Sequence, residues 1–270
     1  MHHLLLLTPL MLALQASSMF ILLPLYSYPG TSASAWSNVT TAITSNPHVQ
    51  WQVIVNPDSG PGTNGTTACP TDTNYIDAIS KLNGYANVMT LGYVDTNFTN
   101  RSYSAVIQDI NTYASWWDCN EPGYNISIDG IFFDDVNSTA SPAVSTYMQN
   151  ASEYAYAQVP SDVTPVIFNP GTLAPPKLFG YCNTMIEFEN VYSLYNNVTT
   201  IKTIPSGYRA QSAILVTDTP ETTAPIASLV HTMASYAIEA VYFTTDQAPN
   251  AYQIYDLDLL KQIVAAVAAG

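Results

Sequence analysis

The sequence predicts a (β/α)8 barrel in a single domain, and three observations carry that expectation. The chain has 270 residues, close to the roughly 250 such a barrel needs. Short apolar runs alternate with amphipathic stretches eight times along it, and those runs end repeatedly in Asp, Asn, Glu or Tyr. Hydrophobic residues make up 47% and charged residues 10%, which supplies one large core and excludes a disordered chain.

Strands are predicted at 21–26, 52–56, 88–93, 126–133, 165–169, 185–188, 213–217 and 240–244. Between them the 103–117 segment places Val106, Ile110, Tyr113 and Trp117 on one helical face, and 256–268 does the same with Leu257, Leu260, Ile263, Val264 and Val267. Helices are also expected over 34–44, 75–82, 144–156 and 224–236, while the segments after the fifth and sixth strands show no clear period. Strand–helix alternation implies a parallel sheet, and eight repeats imply closure. An open doubly wound sheet is the alternative, but no G-x-G-x-x-G loop follows the first strand.

The first 18 residues read as a secretory signal: Leu4 to Leu14 is an apolar run too short to span a bilayer, and Ala16, Ser17 and Ser18 offer a cleavage site. The barrel is then 19–270, and a secreted, extracellular or wall-associated monomer is expected. Sequons at Asn38, Asn64, Asn97, Asn100, Asn125, Asn137, Asn150 and Asn197 point the same way. Of the three cysteines, Cys119 and Cys182 each precede a predicted strand, so these two are expected to pair, with Cys69 left over. A net charge of −14 repels nucleic acid and anionic membranes and suits a neutral or cationic substrate.

In a barrel of this kind the active site lies where the strands end. The predicted ends present Tyr26, Asn56, Asp58, Tyr93, Asp95, Asp134, Asp135, Asn169, Glu189, Asp218 and Asp246. Asn and Asp also favour loop starts for turn geometry alone, and Asn56, Asp218 and Asp246 are read mainly that way. The strongest local signal is 129–136, an apolar strand that ends in Asp134 and Asp135. Two neighbouring carboxyls in a partly dry site drive their pKa values apart, leaving one protonated and one ionised at the same pH. A helix cap with a solvated neighbour is the plainer reading. The second signal is 185–190. Strict alternation puts Met185, Glu187 and Glu189 on the inner face, Glu189 at the mouth and Glu187 a layer below. Paired carboxyls flanking a scissile bond are what glycosidases use. His48 and His231 are too few for a histidine metal site and no G-x-S-x-G elbow is present; no metal and no cofactor are implied.

These residues carry a resemblance. The stretches 22–26 with Tyr28 and Pro29, 53–62 (Val-Ile-Val-Asn-Pro-Asp-Ser-Gly-Pro-Gly), 91–96 followed by Arg101, 130–135 (Gly-Ile-Phe-Phe-Asp-Asp), Phe188-Glu189 and 242–244 resemble, in order, the spherulin-4-like family, grouped as glycoside hydrolase family 135. The resemblance implies a (β/α)8 barrel that hydrolyses α-1,4-linked N-acetylgalactosamine in a secreted fungal exopolysaccharide of galactose and galactosamine. It implies acids at Asp134, Asp135 and Glu189. The chain departs from the family at Asp135, where the pattern has Glu, and at Glu187, where an apolar residue is expected.

The reading is therefore an endo-acting glycosidase with Asp134 as nucleophile or charge stabiliser, Glu189 as general acid, and Asp135 tuning or sharing one of these roles. Tyr26, Tyr93 and Tyr192 are expected to stack on sugar faces; Asn56, Asp58, Asp95 and Asn169 are further substrate-binding candidates, mainly as hydrogen-bonding groups. A non-catalytic wall or spore-coat carbohydrate-binding protein on the same barrel is the alternative, favoured by Asp135 in place of Glu and by the sequon at Asn137 beside the acid pair. Hydrolysis of a different polysaccharide is a third.

Overall fold

Eight parallel strands hydrogen-bond in chain order and the eighth closes on the first. The computed structural model describes residues 19–62, 69–119, 123–220, 225–247 and 251–270, so the predicted signal segment and Asn64 lie outside the described residues. The strands are β1 Phe20–Leu25, β2 Trp51–Val55, β3 Val88–Asp95, β4 Gly130–Asp134, β5 Val166–Phe168, β6 Thr184–Val191, β7 Ser212–Thr217 and β8 Ala240–Phe243. Around them pack α1 Ser37–Ser45, α2 Thr73–Asn83, α3 Tyr103–Ser115, α4 Pro142–Gln158, α5 Asn197–Thr203, α6 Ile226–Ser235 and α7 Leu257–Ala269. Among the described residues no helix is long and apolar enough to cross a membrane.

Local chemistry explains where the helices begin. Asp72, Ser102, Ser141 and Asp256 each cap the helix that follows, accepting from the backbone N–H of Asn74, Ala105, Ala143 and Leu259 respectively. Pro142 then occupies the first turn of α4, where no N–H is needed. The helix layer sits close on the sheet at Gly92 of β3: a Cβ there would lie 2.6 Å from the Tyr113 ring of α3, so the position accepts hydrogen only. After β5 and β6 there is little regular helix, only a tight turn over Pro176–Tyr181 and the short α5, as the absence of apolar periodicity there implies.

Three expectations are corrected. The fourth strand begins at Gly130, not at residue 126; Ile126 and Ile128 are buried but lie ahead of the sheet. A Cβ on Gly130 would meet the Pro165 carbonyl at 2.1 Å, so β4 starts where two backbones touch. That shift bears on the second correction, the disulfide. Cys119 is not beside a strand start; it closes the Trp116–Cys119 turn that continues α3 and bonds to Cys69, just ahead of α2. Cys182 is a buried free thiol over the Leu178 carbonyl, and burial raises its pKa.

The third correction concerns β6. Ile186 pairs with Ala213 and Glu189 with Leu215, so residues three apart on β6 face residues two apart on β7. One extra residue is absorbed as a β-bulge. Met185, paired with Phe168 and Ser212, therefore lies on the opposite face from Ile186 and Glu189. Glu187 sits in the bulge, and its carboxylate accepts from the Ala174 N–H in the β5–β6 connection at 3.0 Å. Glu189 does face inward, but only because the bulge resets the alternation.

Candidate active site

The mouth of the barrel brings two carboxyl groups onto one amide. Asp134 closes β4 and Glu189 stands on β6; between them Asn169, just past β5, donates from its single Nδ2 to Asp134 Oδ1 at 2.7 Å and to Glu189 Oε2 at 2.6 Å. The amide is oriented by its own loop. Asn169 Oδ1 accepts from the Gly171 N–H at 2.9 Å, which leaves the NH2 end facing the acids. Gly171 holds φ +64°, a left-handed conformation suited to glycine, and its carbonyl accepts the Glu189 N–H at 3.1 Å. One turn thus positions both the bridging amide and one of the acids.

Each acid has a phenol on its other oxygen. Tyr93 of β3 donates to Asp134 Oδ2 at 2.7 Å, and Tyr252 donates to Glu189 Oε1 at 2.5 Å. Tyr26 lies edge-on to both, with ring centroids 5.5 Å from Tyr93 and 5.6 Å from Tyr252. Both acids keep part of their surface toward the mouth, while protein donors occupy their oxygens. Burial, then the nearby Glu189 charge, pushes Asp134 up to about 7. Burial also raises Glu189 against the pull of Tyr252 and Asn169. Two acids so close, both driven upward, hold one proton between them near neutral pH.

The separation is bounded by the bridge itself. The two facing oxygens cannot be further apart than the two hydrogen bonds laid end to end, a ceiling that does not exceed the roughly 5–5.5 Å of retaining glycosidases and is short of the roughly 6.5–9.5 Å of inverting ones.

Asp135 takes no part in the bridge, though its charge raises both acids. Its φ is +49°, and the strained backbone is anchored where its carbonyl accepts from Thr96 Oγ1 and the Phe98 N–H, each at 2.7 Å. The carboxylate is partly open, raised by burial and then by Asp95. Two binding candidates, Asn56 and Asp95, shape loops, and so does Asp246, which reads as a loop residue in the sequence. Asn56 Oδ1 accepts from the Gly60 N–H, Asp95 Oδ1 from the Asn97 N–H, and Asp246 Oδ2 from those of Gln253 and Ile254. Asp58 is exposed beside Asn56, and Tyr192 is partly exposed in the turn after β6. Tyr93 offers no face to a sugar: its buried ring is packed between Tyr26 and Phe132, so it braces Asp134.

Residues 20–267 match the Spherulation-specific family 4 along nearly the whole described chain. The chain belongs to that family. Spherulin-4 of Physarum polycephalum is 31% identical over 235 residues, which cover 84% of this chain and 63% of the relative; the chain therefore spans less than two thirds of that protein. Among solved structures, Sph3 of Aspergillus clavatus, in complex with GalNAc, superposes with a TM-score of 0.82 at 26% identity, covering 93% of this chain and 98% of that one. A GH18 chitinase from Pseudoalteromonas aurantia shares the fold, with a TM-score of 0.55 at 13% identity. This member of the spherulation-specific family is thus a glycosidase-like barrel.

Tyr252 is the site residue that sequence reasoning passed over. It lies beyond β8 in an irregular connection, far from any strand end, and no periodicity marks it.

Proposed function

We propose that the chain is a secreted, endo-acting, retaining glycosidase that hydrolyses α-1,4-linked N-acetylgalactosamine in a fungal exopolysaccharide. The single observation that carries the mechanism is the Asn169 bridge, which holds Asp134 and Glu189 too close for a water molecule to attack between them. The likeness to Sph3, solved with GalNAc, supports the choice of sugar. The sequons and the apolar leader support export.

In this reading the proton that the pair shares rests on Glu189 once the sugar is bound, and Glu189 gives it to the glycosidic oxygen as the bond to the anomeric carbon breaks. Ionised Asp134 attacks that carbon from the opposite face, forming a covalent β-glycosyl ester. Glu189, now ionised, takes a proton from a water molecule, whose oxygen displaces Asp134 and releases the sugar with its α configuration restored. Asp135 sits one residue beyond the nucleophile, where its charge favours the positive character that develops on the sugar ring.

The carbohydrate-binding alternative leaned on Asp135 in place of Glu and on a glycan at Asn137 crowding the groove. Asn137 Nδ2, the atom a glycan would occupy, donates to the Phe98 carbonyl at 3.1 Å, and Oδ1 accepts the Thr139 N–H at 3.0 Å, which favours a structural asparagine. The test is release of reducing ends across a panel of fungal polysaccharides. The wild type is expected to cut a galactosamine-containing polymer internally, and Glu189→Gln to lose about 10²–10⁴-fold in rate. Binding of the polymer without new reducing ends would favour the alternative.

A further inference from the structure

The two acids are served almost symmetrically, each taking one bond from the shared Asn169 amide and one from a phenol of its own. The phenols differ in what holds them. Tyr93 sits on a barrel strand. Tyr252 sits in the β8–α7 connection and is nonetheless fixed: its φ is +70°, an outlying conformation for a bulky residue that persists only where surroundings enforce it. They do so on both sides. The Asp246 carboxylate takes the N–H groups of Gln253 and Ile254 at 2.8 and 2.7 Å. The Tyr255 hydroxyl donates to the Tyr252 carbonyl and accepts the Tyr26 N–H at 2.9 Å, tying the connection to the end of β1. Tyr252 itself is buried, its ring against Tyr26 and Tyr242.

We propose that Tyr252 is a positioning residue that fixes Glu189 and, set against Tyr93 on Asp134, decides which of the two carboxyls carries the shared proton. The proposal rests on the hydrolase reading. A phenol that donates to a carboxylate favours its ionised form, so each tyrosine holds down the pKa of the acid it touches, and the balance between the two locates the proton. The titratable groups around the pair are Asp135 after β4, Tyr93 on β3, Tyr26 after β1, and Tyr252 with Tyr242 from the β8 side. Among the described residues no cationic side chain acts on either acid, so the phenols meet no competing counter-ion there.

The experiment compares pH profiles of kcat/KM for the wild type, Tyr252→Phe and Tyr93→Phe. Removing the Tyr252 hydroxyl raises the pKa of Glu189, so the alkaline limb should move up by about one pH unit while the acid limb stays. Removing the Tyr93 hydroxyl raises Asp134 instead, so the acid limb should move up and the alkaline limb stay. Equal shifts in both variants, or an unmoved alkaline limb in Tyr252→Phe, would overturn the assignment. A 13C NMR titration of the carboxyl carbons reads the same pKa values without turnover. If the wild type hydrolyses nothing, the hydrolase reading fails while the titration still decides this inference. If Tyr252→Phe does not fold, Asp246→Ala loosens the clamp and should raise Glu189 by a smaller amount; no change there also overturns the proposal.

Discussion

Replacing Asp134 by Asn removes a charge from a place where the fold pays for it. The side chain is nearly isosteric, and both of its contacts survive: Oδ1 still accepts from Asn169, and Nδ2 donates to the Tyr93 oxygen, which turns from donor to acceptor. The wild-type carboxyl is raised from 3.8 to about 7, so the folded state binds this proton more tightly than the unfolded state does. The resulting penalty is absent below about pH 4, grows as the unfolded chain ionises, and is complete above about pH 7. At 1.36 kcal/mol per pH unit its ceiling is about 4 kcal/mol, and water at the mouth together with the weaker neutral hydrogen bonds lowers the expected gain to about 1–3 kcal/mol. Asp134→Asn should therefore melt several degrees above the wild type at pH 8 and almost level with it at about pH 3.5, while losing hydrolysis. Scanning calorimetry across that range measures the difference. A variant less stable at pH 8, or a difference that ignores pH, would refute the crowded state assigned to Asp134.

Other outcomes follow from the same geometry. Serine at Cys69 or Cys119 opens a loop of 50 residues and should cost about 2–4 kcal/mol in chemical denaturation, with activity at low temperature unchanged; an unchanged midpoint would contradict the pairing. Glu187→Gln should leave turnover within about threefold, because that carboxylate is engaged by the Ala174 N–H and takes no part in the Asn169 bridge; a collapse in kcat would contradict the register. Gly92→Ala drives a methyl into the Tyr113 ring and should destabilise by about 1–3 kcal/mol, read as a lower melting temperature. If the polymer carries free amines, raising salt to about 0.5 M should slow turnover at subsaturating substrate, since the −14 charge no longer steers it; a flat response would remove steering.

The barrel was legible because its strands are short apolar runs that stop at polar residues, and strand ends are where such folds place chemistry. Asp134 and Glu189 were singled out on that rule, and the structure brings them onto one amide. Glu189, however, was placed by an alternation that does not hold: Ile186 and Phe188 read as one face of a plain strand, and nothing in their spacing reveals that β6 absorbs an extra residue. Cys69–Cys119 was illegible for a related reason, since it depends on where the turn after α3 carries Cys119. Tyr93 was assigned to sugar stacking because a phenol at a strand end looks like a platform until its ring is seen packed against Tyr26 and Phe132. Tyr252 had no signal, because its role comes from a clamp made by Asp246 and Tyr255 across an aperiodic connection.

The measurement that tests the central claim most directly is the anomer released first from an α-1,4-linked N-acetylgalactosamine oligomer, followed by 1H NMR before mutarotation. Asp134 and Glu189 held across one amide predict an α-configured first product through a covalent intermediate. A β-configured first product would contradict the account, because it requires an attacking water between carboxyls that stand too close to admit one.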